Sequence, residues 1–168
     1  MADKKPQWMN LSPVTFNGTN YVETKTRTPS VISANMVLEA FRAVFETPPV
    51  VISGTATDQI IETQIAISTR SQSSMPVIGN SQLVAKVHYT KEVIYPEATE
   101  TGASGVAQIN ITDVDLSDGA GNGVLIAADE LFLGVIGSGA AFVAAAQARI
   151  LYKATKVTSE ELIGLALT

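Results

Sequence analysis

From Asp113 to Ile136 the chain reads Asp-Val-Asp-Leu-Ser-Asp-Gly-Ala-Gly-Asn-Gly-Val-Leu-Ile-Ala-Ala-Asp-Glu-Leu-Phe-Leu-Gly-Val-Ile, a Gly/Asn/Asp turn between apolar segments of strand length. Glycine supplies the positive φ that tight connections need. Such a segment commits the chain to β-sheet, and no recognisable catalytic set accompanies it elsewhere.

Period-two alternation extends this reading in both directions. Between Gln59 and Thr69, Ile61, Thr63, Ile65 and Ile67 share one face, and Glu62, Gln64 and Ser68 the other. Between Gln82 and Lys91, Leu83, Ala85, Val87 and Tyr89 point inward while Lys86 and His88 point outward. Ala107, Ile109 and Ile111 alternate with Gln108, Asn110 and Thr112. Val124–Ala128 and Leu131–Ile136 follow, and then a long segment from Ala141 to Val157, where Ala148, Ile150, Tyr152 and Ala154 lie opposite Arg149, Lys153 and Thr155. The apolar run from Leu131 to Ala146 is too short and too broken by Gly134, Gly137, Ser138 and Gly139 for a membrane helix. Two strands joined by a Gly-Ser-Gly turn fit it, and no transmembrane segment is expected.

Residues 70–80 and 96–105 read as polar loops. In Met36–Glu46 the spacing of Val37, Phe41 and Phe45 suits one helix face or one strand face equally. Thr158 with Glu161 three residues later opens a short C-terminal helix as a capping box, weakened by Gly164. Residues 1–30 mix Pro, Asn, Thr, Lys and Ser without periodicity and read as an extended N-terminal arm outside a sandwich of residues 31–168. Seven or eight short strands make the fold class all-β, an antiparallel β-sandwich or single jelly roll. The arm is therefore expected to be dispensable for folding.

Only 16% of the 168 residues are charged and 46% are hydrophobic, against about 25% charged in an average soluble domain. A weakly charged surface suits contact with neighbouring subunits. The formal net charge is -5, but the first 30 residues hold Lys4, Lys5, Lys25 and Arg27 against Asp3 and Glu23, leaving 7 basic and 14 acidic residues in the body. That body lacks the dense cationic patch of a nucleic-acid reader. With no cysteine there are no disulfides or thiolate metal sites. The polar start shows no apolar core of a secretory signal, so the sequons at Asn10, Asn17 and Asn110 read as chance.

Candidate chemistry is sparse. His88 is the single histidine, which rules out a multi-histidine metal site, and on an outward strand face it reads as a solvated side chain. Asp113, Asp115 and Asp118 are weak candidates for calcium: Asp118 stands where a calcium loop requires glycine, and Val124 where the bidentate Glu belongs. Gly119, Gly121 and Gly123 precede a strand, not the helix N-terminus that a phosphate loop needs. No cofactor is expected. Lys4, Lys5, Trp8, Lys25 and Arg27 are the candidates for contact with another subunit or with nucleic acid, direct nucleic-acid binding being weak or absent.

The segments Asp115–Val135 and Ala148–Ala166, with their Asp-Gly-Ala-Gly-Asn-Gly turn, Leu-Ile-Ala-Ala-Asp strand and Arg-Ile-Leu-Tyr-Lys strand, resemble the C-terminal half of coat proteins from small viruses of microbes. These include the small circular DNA viruses whose shells use single jelly rolls. The resemblance extends loosely from Met36 to the end and favours a strand over Met36–Glu46. It implies a non-enzymatic structural subunit, made in the host cytoplasm and located in the virion, whose main partner is many copies of itself. The arm's charge of about +2 by formal count is low for genome condensation and fits a subunit facing an inner lipid layer, a second coat protein or an empty shell. Its acidic loops imply assembly that responds to salt and divalent ions. Two other classes compete. A small surface- or carbohydrate-binding sandwich would use the loops at 70–80 and 96–105, which carry no aromatic residue, and a metal hydrolase would need the Asp cluster.

Overall fold

The computed structural model describes residues 5–16, 20–29, 35–47, 59–93, 110–138 and 144–167. Among these residues, ten strands and one helix run in the order β1 (Gln7–Asn10), β2 (Val14–Phe16), β3 (Val22–Arg27), β4 (Met36–Thr47), β5 (Gln59–Ser68), β6 (Leu83–Val93), β7 (Asn110–Asp115), β8 (Val124–Ile126), β9 (Glu130–Ser138), β10 (Ala144–Lys156) and α1 (Ser159–Leu167). One sheet has the order β1-β10-β4-β7, with β2 also on β10 and β8 also on β4; the other is β3-β9-β5-β6. Every pairing is antiparallel.

β1 and β2 both lie on β10, and β7 and β8 both lie on β4, so each pair is one interrupted strand. Eight strand units remain. The first pairs with the eighth, the second with the seventh, the third with the sixth and the fourth with the fifth. A long antiparallel hairpin rolled into two layers gives this pattern, which is the jelly-roll sandwich. The core fills from both inner faces: Leu38, Phe45 and Ile150 of the six-stranded sheet meet Ile65, Ile67, Leu133 and Val135 of the four-stranded one, all essentially without solvent contact. Truncating a side chain such as Phe45 at the centre of such a layer typically costs about 3–5 kcal/mol.

Met36–Thr47 is a strand, central in its sheet between β10 and the β7–β8 edge. A bulge places Phe41 outside the ladder, between Ala40 opposite Tyr152 and Arg42 opposite Leu151. The capping box at the C-terminus forms as the sequence indicates. The Thr158 amide donates to Glu161 Oε2 at 2.8 Å, and the Glu161 amide to Thr158 Oγ1 at 3.2 Å.

Four expectations need correction. Residues 7–16 and 22–27 do not stand outside the sandwich; they supply its first two strand units, one to each sheet. Their polar composition hides two core side chains, Leu11 and Val14, and backbone pairing that composition does not report. Pro13, which has no amide to donate, separates β1 from β2. Between the sheets, the Ser12 amide donates to Thr26 Oγ1 at 2.7 Å and Thr24 Oγ1 donates to the Ser12 carbonyl at 2.7 Å, closing the open side of the roll.

Second, the Gly/Asn/Asp turn does not reverse the chain. β7 and β8 run in the same direction along β4, with Asp115 opposite Arg42 and Val124 opposite Ala40. Residues 116–123 are looped out opposite the single bulged residue Phe41, whose carbonyl accepts from the Leu116 amide at 2.9 Å. Third, Ile111 faces solvent, because the register with β4 turns Thr112 and Val114 towards the core. Fourth, Ser68, expected outward, is buried because the chain folds over it and its hydroxyl donates to the Arg70 carbonyl at 2.9 Å. The loop at 96–105, residues 106–109 and Gly139 of the expected turn lie outside the described residues.

Candidate assembly surface

The loop at 116–123 is built from its own polar groups. Asp118 Oδ1 accepts from the amides of Ala120 (2.8 Å) and Asn122 (3.0 Å), its Oδ2 accepts from Asn122 Nδ2 (2.7 Å), and its amide donates to the Asn122 carbonyl (2.9 Å). Gly119 and Gly121 take φ of 78° and 95°, where a side chain would be strained. The hydrogen bonds from the Asn122 side chain and from the backbone hold the Asp118 carboxyl below its ordinary range, and the Ser117 amide at 2.8 Å does the same for Asp115. Asp113 turns to β4 instead, where Arg42 grips it with Nε and Nη2. The three aspartates are thus divided between an ion pair and two backbone turns. Among the described residues, no group of three or more His, Cys, Asp or Glu is placed to hold a metal.

Glu39 fastens this loop to the sheet. Only 6% exposed, it accepts from the Gly123 amide (3.1 Å) and Thr155 Oγ1 (2.7 Å), and pairs with Lys153 Nζ at 3.0 Å. Burial pushes its pKa up, but the Thr155, Gly123 and Lys153 contacts outweigh burial and leave it below the ordinary value. Gly123 is required sterically: a β-carbon there would stand 2.4 Å from the Ala40 carbonyl oxygen.

Beside the loop, the outer face of the six-stranded sheet is laid out in cross-strand rows. Trp8, Leu151, Arg42 and Asp115 form one row, Asn10, Arg149, Val44 and Asp113 the next, and Gln147, Glu46 and Ile111 the third. Trp8 is 43% and Ile111 67% exposed, at opposite edges of this face. The Arg149 guanidinium lies 4.6 Å from the centroid of the Trp8 ring, a cation–π contact.

The loop at 69–82 is pinned as well. Glu23 on β3 accepts from the Gln72 amide at 3.1 Å, from Ser71 Oγ and from Tyr21 Oη at 3.0 Å. Burial, then the hydrogen bond to Glu23, pushes the Tyr21 hydroxyl above its ordinary pKa. The Tyr21 ring lies over Gly134, where a β-carbon would overlap it. Within the loop, Gln72 Nε2 donates to Gln82 Oε1 (2.7 Å), the Gln82 amide to Asn80 Oδ1 (2.9 Å) and Lys86 Nζ to the Pro76 carbonyl (3.0 Å). This frame holds Val77 and Ile78 in water, 70% and 89% exposed.

Of the other contact candidates, Lys4 lies outside the described residues and Lys5 is exposed. Lys25 and Arg27 are exposed on the outer face of edge strand β3; Lys25 pairs with Glu130 at 3.1 Å, and Arg27 rims a depression shared with Arg70, Asp129 and Glu130. That mixture of signs is unlike a phosphate-binding patch. His88 is exposed on β6 with Nε2 4.0 Å from Glu62 Oε2. Trp8 therefore sits on one sheet, and Lys25 and Arg27 on the other. Sequence reasoning missed Ile111, Val77, Ile78 and Glu39. For Val77 and Ile78 the signal was present, as an apolar pair in a polar loop, whereas the outward face of Ile111 depends on register.

No protein-family model matches the chain, and no curated protein matches it. Among solved structures it is similar to VP1 of Trichodysplasia spinulosa-associated polyomavirus, with 11% identity over 83% of this chain and 79% of that one and a TM-score of 0.39. It is also similar to VP1 of Human Polyomavirus 6, in a structure described as a pentamer, with 12% identity over 93% and 97% and a TM-score of 0.40. A third likeness is to Desmodium yellow mottle tymovirus, with 10% identity over 95% and 94% and a TM-score of 0.31.

Proposed function

We propose that this chain is a non-enzymatic structural coat subunit whose copies associate into a shell, with the complete jelly roll as the building block. One observation carries the reading: a hydrogen-bonded frame fixes Val77 and Ile78 side by side in a loop, exposed to water in the single chain. Single exposed apolar residues are ordinary, but adjacent ones on a pinned loop favour burial by a partner. The low share of charge and the resemblance of Asp115–Val135 and Ala148–Ala166 to small viral coats point the same way. In this reading the partners are many copies of the chain, with a second coat protein or an inner lipid layer beyond them, and the protein is located in the virion. Lys4 and Lys5 then belong to subunit contacts more than to genome binding.

The reading as a carbohydrate- or surface-binding module finds no support in the described loop at 69–82, which offers no aromatic platform. Sedimentation velocity of the purified full chain over a wide concentration range tests the proposal. Growth from a small species into large ones of uniform size is expected, and a single monomer boundary at every concentration overturns it.

A further inference from the structure

Resting on the self-association reading, we propose that the outer face of the six-stranded sheet is a two-fold interface between copies of this chain, in which the Trp8–Arg149 edge of each copy lies over the Ile111–Asp115 edge of the other. The face is polarised across its strands. On the β1–β10 side it carries Trp8 and the exposed cation Arg149; on the β7 side it carries Ile111 and the exposed carboxylate Asp115, with Glu46 between. Arg42 and Asp113 neutralise one another within the chain, so they add no net charge to either side. Arg149 and Asp115 stand two strands and one row apart, more than about 10 Å at the usual strand spacing, so the separation of charge is not closed within a single copy.

Two-fold rotation about an axis parallel to the strands turns a second face onto the first and exchanges left for right. β1 and β10 of one copy then cover β4 and β7 of the other, and the reverse holds by symmetry. The rows are kept, so Trp8 of each copy faces Asp115 of the other, and Arg149, stacked on Trp8, comes beside that carboxylate, twice per interface. Each surface is thus complementary to itself, whereas a two-fold perpendicular to the strands keeps the cationic side over the cationic side and the acidic side over the acidic side, which like-charge repulsion opposes. Val44 and Leu151, half-buried near the middle of the rows, supply the apolar centre.

Trp8 is the chain's single tryptophan, so its emission reports on this face in the unaltered protein. On association, the emission is expected to move to shorter wavelength, with acrylamide quenching falling severalfold. Arg149→Glu and Asp115→Arg, each checked for an unchanged melting profile, are expected to weaken association by about tenfold each, and the double exchange to restore most of it. A chain that associates while Trp8 stays as quenchable as in the monomer, or whose single-charge variants associate like the unaltered protein, overturns the interface and leaves the coat reading standing. A chain that never associates overturns both.

Discussion

Residues 7–27 and residues 116–123 look alike in sequence, both short on apolar side chains and rich in turn-forming ones, yet they have opposite standing in the fold. The first segment is held by backbone: it forms the first two strand units, one in each sheet, and buries Leu11 and Val14. The second is held by side chains: it leaves the ladder after Asp115, rejoins it at Val124, and is fastened by Asp118 within and Glu39 beneath. A polar composition therefore does not mark a segment as peripheral. What decides is whether its amides and carbonyls are needed to complete a sheet.

The largest effect that would break this contrast is deletion of residues 1–27. It removes two of eight strand units and exposes the edges of β10 and β9, and cooperative thermal unfolding is expected to disappear. A truncated chain that melts like the full one would return the segment to the status of an arm. Next, Leu11→Ala is expected to destabilise by about 2–4 kcal/mol in denaturant titrations, as for other buried leucines. In the loop, Gly123→Ala drives a methyl into the Ala40 carbonyl and is expected to cost about 1–3 kcal/mol by forcing the backbone apart.

Glu39→Gln is smaller, at about 1–2 kcal/mol near neutral pH, since the amide keeps the acceptor oxygen but loses the charge that faces Lys153. Its sign with pH is fixed. The folded pKa lies below the unfolded one, so the stabilisation is complete above the ordinary carboxylate range and is lost as pH falls through the folded value. Denaturant titrations at descending pH should therefore show the variant losing less stability than the unaltered protein. Smallest of all, Asp118→Ala is expected to speed hydrogen exchange at the amides of Ala120 and Asn122 while leaving the melting midpoint unchanged, because this carboxylate is exposed and bonds only within its own loop.

Much of the fold was legible because alternation survives wherever one strand face meets the core. Thr63, Ile65 and Ile67, Ala85 and Val87, and Ala148, Ile150 and Tyr152 are all buried on the faces that the sequence indicates. The capping box was equally readable, being a purely local device. Direction and register were not. Period two marks a strand but says nothing about its neighbour, so the run before Asp118 and the run after Gly123 look like the arms of a hairpin, although both lie along β4. The same gap hid Ile111, whose outward face is set by Phe45 standing opposite Thr112. Glu39 reads as a surface residue until the loop that covers it is in place. As for the candidate surface, Trp8 was recognised, but Arg149, which stacks on its ring, was seen only as the polar side of a strand.

Electron cryomicroscopy of the purified full chain under assembling conditions tests the central claim, a shell subunit whose roll includes its N-terminal strands. Closed particles in which every copy keeps β1 and β2 on its own β10 and β3 on its own β9 are the expected result. Dispersed monomers, or particles in which residues 7–27 of each copy complete the sheets of a neighbour, would contradict it.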